Sequence, residues 1–319
     1  MKNIVLIGAG AIGSRHLQGL ARVDFDAVIE VVDKSEESLK VAKERFEEVE
    51  NSHNSMRISY LKDISDININ IDLAIIATTT NIRLSILEEL IKKKKVKNII
   101  LEKIAFGSNV EFEKAIEITQ GINVWVNCPK RAYPFFQELK SLFKGKDISY
   151  IVQSGDNALA SNAIHYIDDF AFLTDCYDMS FHTKFDDDIT QSRHNKCIEL
   201  TGVISSTVNN NTLHINFSKF NSTVIITILS KDFHVVINEI SGTALVAKKE
   251  SNWEFEKIDK KIVYYQSELT NILAEDILLN NRCNLVTLAE SYKLHKPLLN
   301  SINEHLKEKG HSFDVCPIS

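Results

Sequence analysis

Three glycines at positions 8, 10 and 13 are spaced as G-x-G-x-x-G, a spacing suited to holding a pyrophosphate. Gly8 permits a tight turn out of a strand. Gly10 has no Cβ, so a phosphate can approach the backbone, and Gly13 lets the following helix pack closely on that strand. Ala11 and Ile12 complete a loop whose N–H groups lie at the positive end of a helix dipole. Asp33 follows Gly13 by 20 residues. A carboxylate there accepts hydrogen bonds from both hydroxyls of an adenosine ribose and repels a 2′-phosphate, which favours NAD. Lys34 beside it keeps NADP open. The competing reading of Asp33 is an N-cap for the helix that begins at residues 35–37.

A second group of residues has the chemistry to act on a bound molecule. Lys103 follows Glu102 at the end of the apolar run 99–101, where a lysine can bind a hydroxyl or carbonyl and ease proton transfer. Both residues are candidate cofactor neighbours, and Lys103 is also a candidate catalytic and substrate-binding residue. His165 is the side-chain type best suited to taking a hydroxyl proton near neutral pH as hydride leaves the same carbon. Asp168, three residues on, shares its helix face and could orient the ring. Arg131 and Tyr133, in the basic segment 127–134, could reach a polar substrate; a carboxylate partner for Arg131 and a packing role for Tyr133 are the alternatives. Thr78, Thr79 and Thr80 end another apolar run. They either contact the nicotinamide-side ribose or its phosphate, or cap the helix beginning near residue 82.

The elements that must position these groups follow from hydrophobic periodicity. Apolar strands at 4–7, 27–32, 57–60, 72–77, 98–101 and 122–127 alternate with helical patterns at 14–20, 35–46, 82–93 and 110–120. One crossover, between the third and fourth strands, has no assigned helix. That alternation predicts a doubly wound parallel sheet. After the prolines at 129 and 134 the pattern changes. Helices are expected at 135–143 and at 161–173, the latter capped by Ser161 or Asn162, with Asp169 on a solvated face. Strands are expected at 180–185, 197–204, 213–217, 223–229 and 234–237. The turns 209–211 and 219–222 read as antiparallel hairpins. Helices at 265–279 and 285–306 follow, the second broken at Pro297. The chain thus divides into a nucleotide-binding domain, 1–127, and a substrate-binding and oligomerisation domain, 128–319, with a large mostly antiparallel sheet. A broad sheet with one face free predicts a homodimer or homotetramer through that domain.

The sequence resembles the Gfo/Idh/MocA family, named for glucose–fructose oxidoreductase and inositol dehydrogenase. The similarity rests on the glycine loop followed by His16, on Leu101-Glu102-Lys103, on the segment 127–134, and on His165-Tyr166-Ile167-Asp168. It implies an N-terminal Rossmann domain and a C-terminal domain with a large mixed sheet. It also implies NAD(P)-dependent hydride transfer to or from a hydroxyl or ketone of a sugar, cyclitol or nucleotide sugar, with Lys103 and His165 catalytic. Two positions depart from the family pattern. Ile104 stands where a proline usually stiffens the turn after the lysine. Ser161 stands four residues before the histidine, where an aspartate is frequent and serine cannot carry charge, which makes it a candidate substrate contact of altered kind. Two other readings stay open: a nucleotide-bound sensor or scaffold that has lost catalysis, and an enzyme using NAD transiently for elimination or hydrolysis.

Composition narrows the partners. A net charge of −6 argues against nucleic acid. The lysine run 92–95, with Lys97, has no interleaved aromatic or arginine residue and reads as a solvated helix end. No apolar run approaches the ~20 residues of a membrane span, and no signal-peptide core opens the sequence, so a cytoplasmic protein is expected. Cys128, Cys176, Cys197, Cys283 and Cys316 form no C-x-x-C pair, so neither a disulfide framework nor a zinc site is expected. His182, His194, His214 and His234 lie at no ligand spacing, and Asp186-Asp187-Asp188 lacks the glycine and glutamate of a calcium loop. No metal is expected.

Overall fold

The computed structural model describes residues 1–49, 55–156, 158–192 and 197–319. The first part of the chain alternates β1 (Lys2–Ile7), α1 (Ala11–Leu20), β2 (Ala27–Val32), α2 (Glu36–Glu47), β3 (Arg57–Leu61), β4 (Leu73–Ile76), α3 (Thr80–Lys93), β5 (Asn98–Glu102), α4 (Asn109–Ile118) and β6 (Asn123–Asn127). The strands pair in parallel in the order β6-β5-β4-β1-β2-β3. β4 is buried at every residue, and so are Ile4–Ile7 and residues 99–102. Such continuous apolar strands are what a parallel sheet covered on both faces requires. The crossover without an expected helix holds only a 3-10 turn, Ile64–Asp66, capped by the Asp63 side chain. β1 pairs with both β2 and β4, so the strand order reverses there and the carboxyl ends of these parallel strands open a crevice.

Beyond β6 come α5 (Pro134–Phe143), β7 (Ile148–Ser154), α6 (Leu159–Thr174), β8 (His182–Phe185), β9 (Thr190–Gln191), β10 (Ile198–Glu199), β11 (Gly202–Val208), β12 (Asn211–Phe217), β13 (Ile225–Ser230), β14 (Phe233–Asn238), β15 (Thr243–Lys248) and β16 (Phe255–Lys257). The chain ends with α7 (Gln266–Asn280), β17 (Val286–Thr287) and α8 (Leu288–Glu308). An eight-stranded sheet has the order β16-β15-β14-β13-β7-β12-β11-β8. β7 runs parallel to β12, and every other pairing in it is antiparallel.

Several sequence expectations are corrected here. Residues 209–210 do form the tight turn of the β11–β12 hairpin, with Asn209 at φ 54°. Residues 219–222 do not form a hairpin, because β7 lies between β12 and β13. α6 starts at Leu159, so Ser161 lies within its first turn rather than capping it. α8 runs through Pro297 without a break, and Leu285 lies before it, next to β17.

By compactness the chain forms two units: Met1–Phe106, Val110–Asn127 and Tyr264–Leu288 in the first; Gly107–Asn109, Cys128–Val263 and Ala289–Ser319 in the second. A contiguous 128–319 domain therefore gives way to one in which α7 and β17 belong with the nucleotide-binding unit. β17 adds an antiparallel strand to β6. α7 packs so closely on α1 that a Cβ on Gly19 would lie 2.7 Å from Thr270 Cβ. Arg22 and the Asp24 amide fix this helix through Ser267 O at 2.7 Å and Glu275 Oε1 at 3.0 Å. The lysine run ends α3 as expected, with Lys93 on Glu89 and Lys97 on Asp72, each at 2.7 Å. His182 and His214 are exposed and His234 stands edge-on to Phe255, whereas His194 lies outside the described residues. Among the described residues no group of three His, Cys, Asp or Glu side chains could hold a metal, and no helix is long and apolar enough to cross a membrane.

Candidate functional site

The crevice of the first unit is a cavity of about 410 Å³ lined by Gly8, Gly10, Asp33, Thr78 and Thr79 among others. Each glycine has a separate role. Gly8 adopts φ +93°, and a Cβ there would meet the Ala77 backbone at 2.8 Å. A Cβ on Gly13 would fall 1.8 Å from Gly8 O, which fixes how tightly α1 seats on β1. A Cβ on Gly10 would meet nothing within 4 Å, so the open space of the loop lies there. Ala11 and Ile12 are exposed in the first turn of α1, whose leading N–H groups have no intrahelical acceptor.

Asp33 ends β2 with its carboxylate turned into the crevice, accepting from Ala9 N at 2.7 Å and Ser35 N at 2.8 Å. It does not cap α2; Ser35 does, accepting from Ser38 N. Lys34, Lys62 and Asp63 complete that wall, with Lys62 held by Glu36. The three threonines separate. Thr78 Oγ1 is buried without a partner, and Thr79 Oγ1 donates to Asn81 rather than capping α3. Thr80 turns to Ile104 O at 3.2 Å. The open space at Gly10, the acceptor at Asp33 and the unsatisfied hydroxyl of Thr78 together fit a dinucleotide: phosphates at the α1 N-terminus, adenosine ribose at Asp33, and a polar partner for Thr78.

Glu102 is 6 % exposed, and its carboxylate is directed into a buried network. Oε1 meets His16 Nε2 at 2.7 Å and accepts from Asn127 Nδ2, while His16 Nδ1 lies 3.0 Å from Thr270 Oγ1. Burial pushes the Glu102 carboxyl up, but His16, Asn127 and Arg83 outweigh it and hold its pKa below the ordinary value. Lys103, half-buried, follows directly, and its peptide bond to Ile104 is cis. Arg83, absent from the candidates that spacing supplies, lies beneath this turn at 1 % exposure. The signal was there: Thr80, Arg83, Leu87 and Leu90 form the buried face of α3, and an arginine on such a stripe needs acceptors.

In the second unit His165 is half-buried on α6, while the polar residues expected to join it in binding substrate are closed off. Arg131 and Asp168 are 4 % and 0 % exposed. The guanidinium grips the carboxylate through Nη2–Oδ1 at 2.6 Å and Nε–Oδ2 at 2.8 Å, a bidentate pair rather than a substrate contact. Tyr133 is 6 % exposed and edge-on to Phe136, and Ser161 is 7 % exposed with its amide on Glu199. Asp169 is not solvated. At 1 % exposure it faces Lys130 Nζ at 3.0 Å and accepts from Tyr150 OH at 3.1 Å. Lys130 also meets Glu239 at 2.6 Å, and Tyr166 OH donates to that same carboxylate at 2.8 Å. Burial, aided by the Asp168 and Glu239 carboxylates and opposed by Lys130, pushes the Asp169 carboxyl up to about 7.

Residues 2–120 match a family model described as an oxidoreductase family with an NAD-binding Rossmann fold. No curated protein sequence matches the chain. Among solved structures, an oxidoreductase from Agrobacterium radiobacter in complex with NAD+, L-tartaric acid and magnesium is 15 % identical, with a TM-score of 0.69 and 97 % of each chain covered. UDP-N-acetylglucosamine 3-dehydrogenase GnnA from Acidithiobacillus ferrooxidans is 14 % identical, with a TM-score of 0.70, covering 94 % of this chain and 96 % of its own. The transcriptional regulator Gal80p from Kluyveromyces lactis is 14 % identical, with a TM-score of 0.72, covering 96 % and 90 %. At such identities the likeness is one of fold. The crevice and the family match define the first unit as the NAD-binding Rossmann domain of an oxidoreductase family. Over residues 2–120 the chain is similar to the Gfo/Idh/MocA family.

Proposed function

We propose that this protein is an NAD-dependent oxidoreductase acting on a hydroxyl or ketone carbon of a sugar, cyclitol or nucleotide sugar. The observation that carries the reading is Lys103 at the carboxyl edge of β5, with the carbonyls of Glu102 and Ile104 on either side of it tied through Arg83 to Thr78 in the cofactor cavity. NAD, when bound, supplies the hydride acceptor. Lys103 holds and polarises the reacting oxygen, and His165 exchanges its proton; a positioned acid–base group of this kind contributes about 10²–10⁴-fold. The similarity to a UDP-sugar dehydrogenase supports the substrate class. A second copy of the chain is the proposed partner. The outer face of the large sheet carries Ile151, Val236 and Leu245 in one cross-strand row with Thr227, while β16 beyond them carries the exposed Phe255, and the face suits a homodimer or homotetramer.

The rival reading, a nucleotide-bound sensor, draws on Ser161 in place of a carboxylate and on the likeness to a transcriptional regulator. Titrating the protein with NADH by fluorescence, then following absorbance at 340 nm over a panel of UDP-sugars, free sugars and cyclitols, separates the two. Turnover that is lost in Lys103→Ala while NADH still binds is the expected result. Tight NADH binding with no absorbance change on any substrate points to the sensor. Product without net NADH points to transient use of the cofactor.

A further inference from the structure

Arg83 stands in the first turn of α3, where a cation opposes the helix dipole, and it is 1 % exposed. Burial pulls its guanidinium down to about 10, against the charges of Glu102 and Glu111. A cation held at an unfavourable helix end and out of water needs acceptors that repay it in geometry. Its hydrogen bonds run to four main-chain carbonyl oxygens: Thr78, Glu102, Ile104 and Ala105. Nη1 reaches Glu102 O at 2.8 Å and Ala105 O at 2.9 Å, with Ile104 O between them. Nη2 reaches Thr78 O. Thr80 Oγ1 adds a second donor to Ile104 O. One planar fork therefore holds the backbone immediately before Lys103 and immediately after it, and ties both to the end of β4.

We propose that Arg83 is the positioning residue for Lys103, restraining by hydrogen bonds a turn that no proline ring at position 104 restrains. Ile104 leaves φ free where proline would fix it, and the clamp removes that freedom from outside the turn. The guanidinium suits the task because two nitrogens fixed in one plane donate to Ile104 O and to Thr78 O separately, whereas an ammonium is a single point donor on a flexible stem. The inference rests on the reading of Lys103 as the residue that meets the reacting oxygen, but its structural content can be tested without a substrate.

The test compares wild type with Arg83→Met, Arg83→Lys, Ile104→Pro and the double variant Arg83→Met/Ile104→Pro. Two readouts are used: amide hydrogen exchange of residues 102–106, and the pH profile of Lys103 acetylation by acetic anhydride, scored by mass spectrometry against surface lysines. NADH affinity reports whether the crevice is intact. Arg83→Met is expected to speed exchange in 102–106 and to change Lys103 labelling by about tenfold or more, the scale on which misplacement acts. Ile104→Pro in the same chain is expected to restore both. Arg83→Lys, which keeps the charge, is expected to behave as Arg83→Met, and it serves if the methionine variant does not fold. Unchanged exchange and labelling in Arg83→Lys, or a double variant no better than Arg83→Met, overturns the proposal. A Lys103→Ala protein with full turnover would instead remove the reading of Lys103 and leave the clamp standing.

Discussion

Arg131 and Asp168 close on each other through two near-parallel hydrogen bonds, 2.6 and 2.8 Å long, with 4 % and 0 % of their surfaces exposed. Burial raises the Asp168 carboxyl above its ordinary pKa even with the guanidinium in place, a sign of how little water the pair retains. Removing one partner would strand the other. Arg131→Met is therefore expected to cost about 3–5 kcal/mol in denaturant unfolding. Arg131→Met/Asp168→Leu is expected to recover much of that loss, because an apolar pair of similar volume suffers no desolvation. A single variant as stable as wild type would show that the pair is not buried in solution.

The neighbouring carboxyl gives a pH signature of definite sign. Asp169 has a folded pKa of about 7, raised from 3.8 chiefly by burial. Between these values the folded chain holds a proton that the unfolded chain has released, so stability is full below the lower value and falls as pH rises through the upper one. The slope approaches about 1.4 kcal/mol per pH unit in mid-range. Asp169→Asn is expected to flatten unfolding free energy between about pH 4 and pH 7 relative to wild type, on the order of a unit either way. Parallel curves for the two proteins would place the titration elsewhere.

How far these features could be read from the sequence depends on the range of the interaction. The parallel sheet, the glycine loop and Asp33 are local or separated by one crossover, and period and spacing carry them. The β12–β13 connection was misread because the polar run at 219–222 looks the same whether it joins neighbours or passes over β7; only sheet order decides. From the sequence Arg131 is open to a substrate or a carboxylate, Asp168 falls beside His165 by helical spacing, and Asp169 falls on the opposite face, which reads as solvated. Their partners lie on a different element, and no helical spacing links residue 131 to residue 168. The return of α7 to the first unit was hidden for the same reason: its apolar stripe does not name the surface it covers. Arg83 was the legible omission, a cation on an apolar helix face.

The glycine loop offers a contrast in which fold and binding come apart. A Cβ at Gly10 meets nothing within 4 Å, whereas one at Gly13 would lie 1.8 Å from Gly8 O. Gly10→Ala is expected to unfold within about 1 kcal/mol of wild type, the usual range for a surface substitution or a cap change, yet to weaken NADH binding markedly because the methyl group occupies the phosphate space. Gly13→Ala is expected to destabilise the fold itself, since α1 cannot seat on β1. Differential scanning calorimetry alongside NADH fluorescence distinguishes the two effects. Undiminished NADH affinity in Gly10→Ala would move the phosphates away from this loop.

Cofactor choice turns on Asp33, whose carboxylate already accepts from Ala9 N and Ser35 N. A carboxylate has about four lone-pair sites, so acceptors remain for two ribose hydroxyls, and the negative charge opposes a 2′-phosphate. The cations on the same wall do not cancel that opposition equally. Lys62 is held by Glu36, while Lys34 lines the cavity beside Asp33. Asp33→Ser would remove the charge and the ribose acceptors together while leaving Lys34 in place. The expected outcome is a loss of NADH affinity by about tenfold or more, from charge-assisted hydrogen bonds of about 1.5–3 kcal/mol, together with a gain for NADPH. Asp33→Asn should lose NADH without that full gain, because its amide still fills the space and offers one oxygen. Fluorescence titrations of both cofactors against the three proteins measure the ratio directly. An NADH-to-NADPH preference unchanged by Asp33→Ser would mean that the ribose is read by another wall of the crevice.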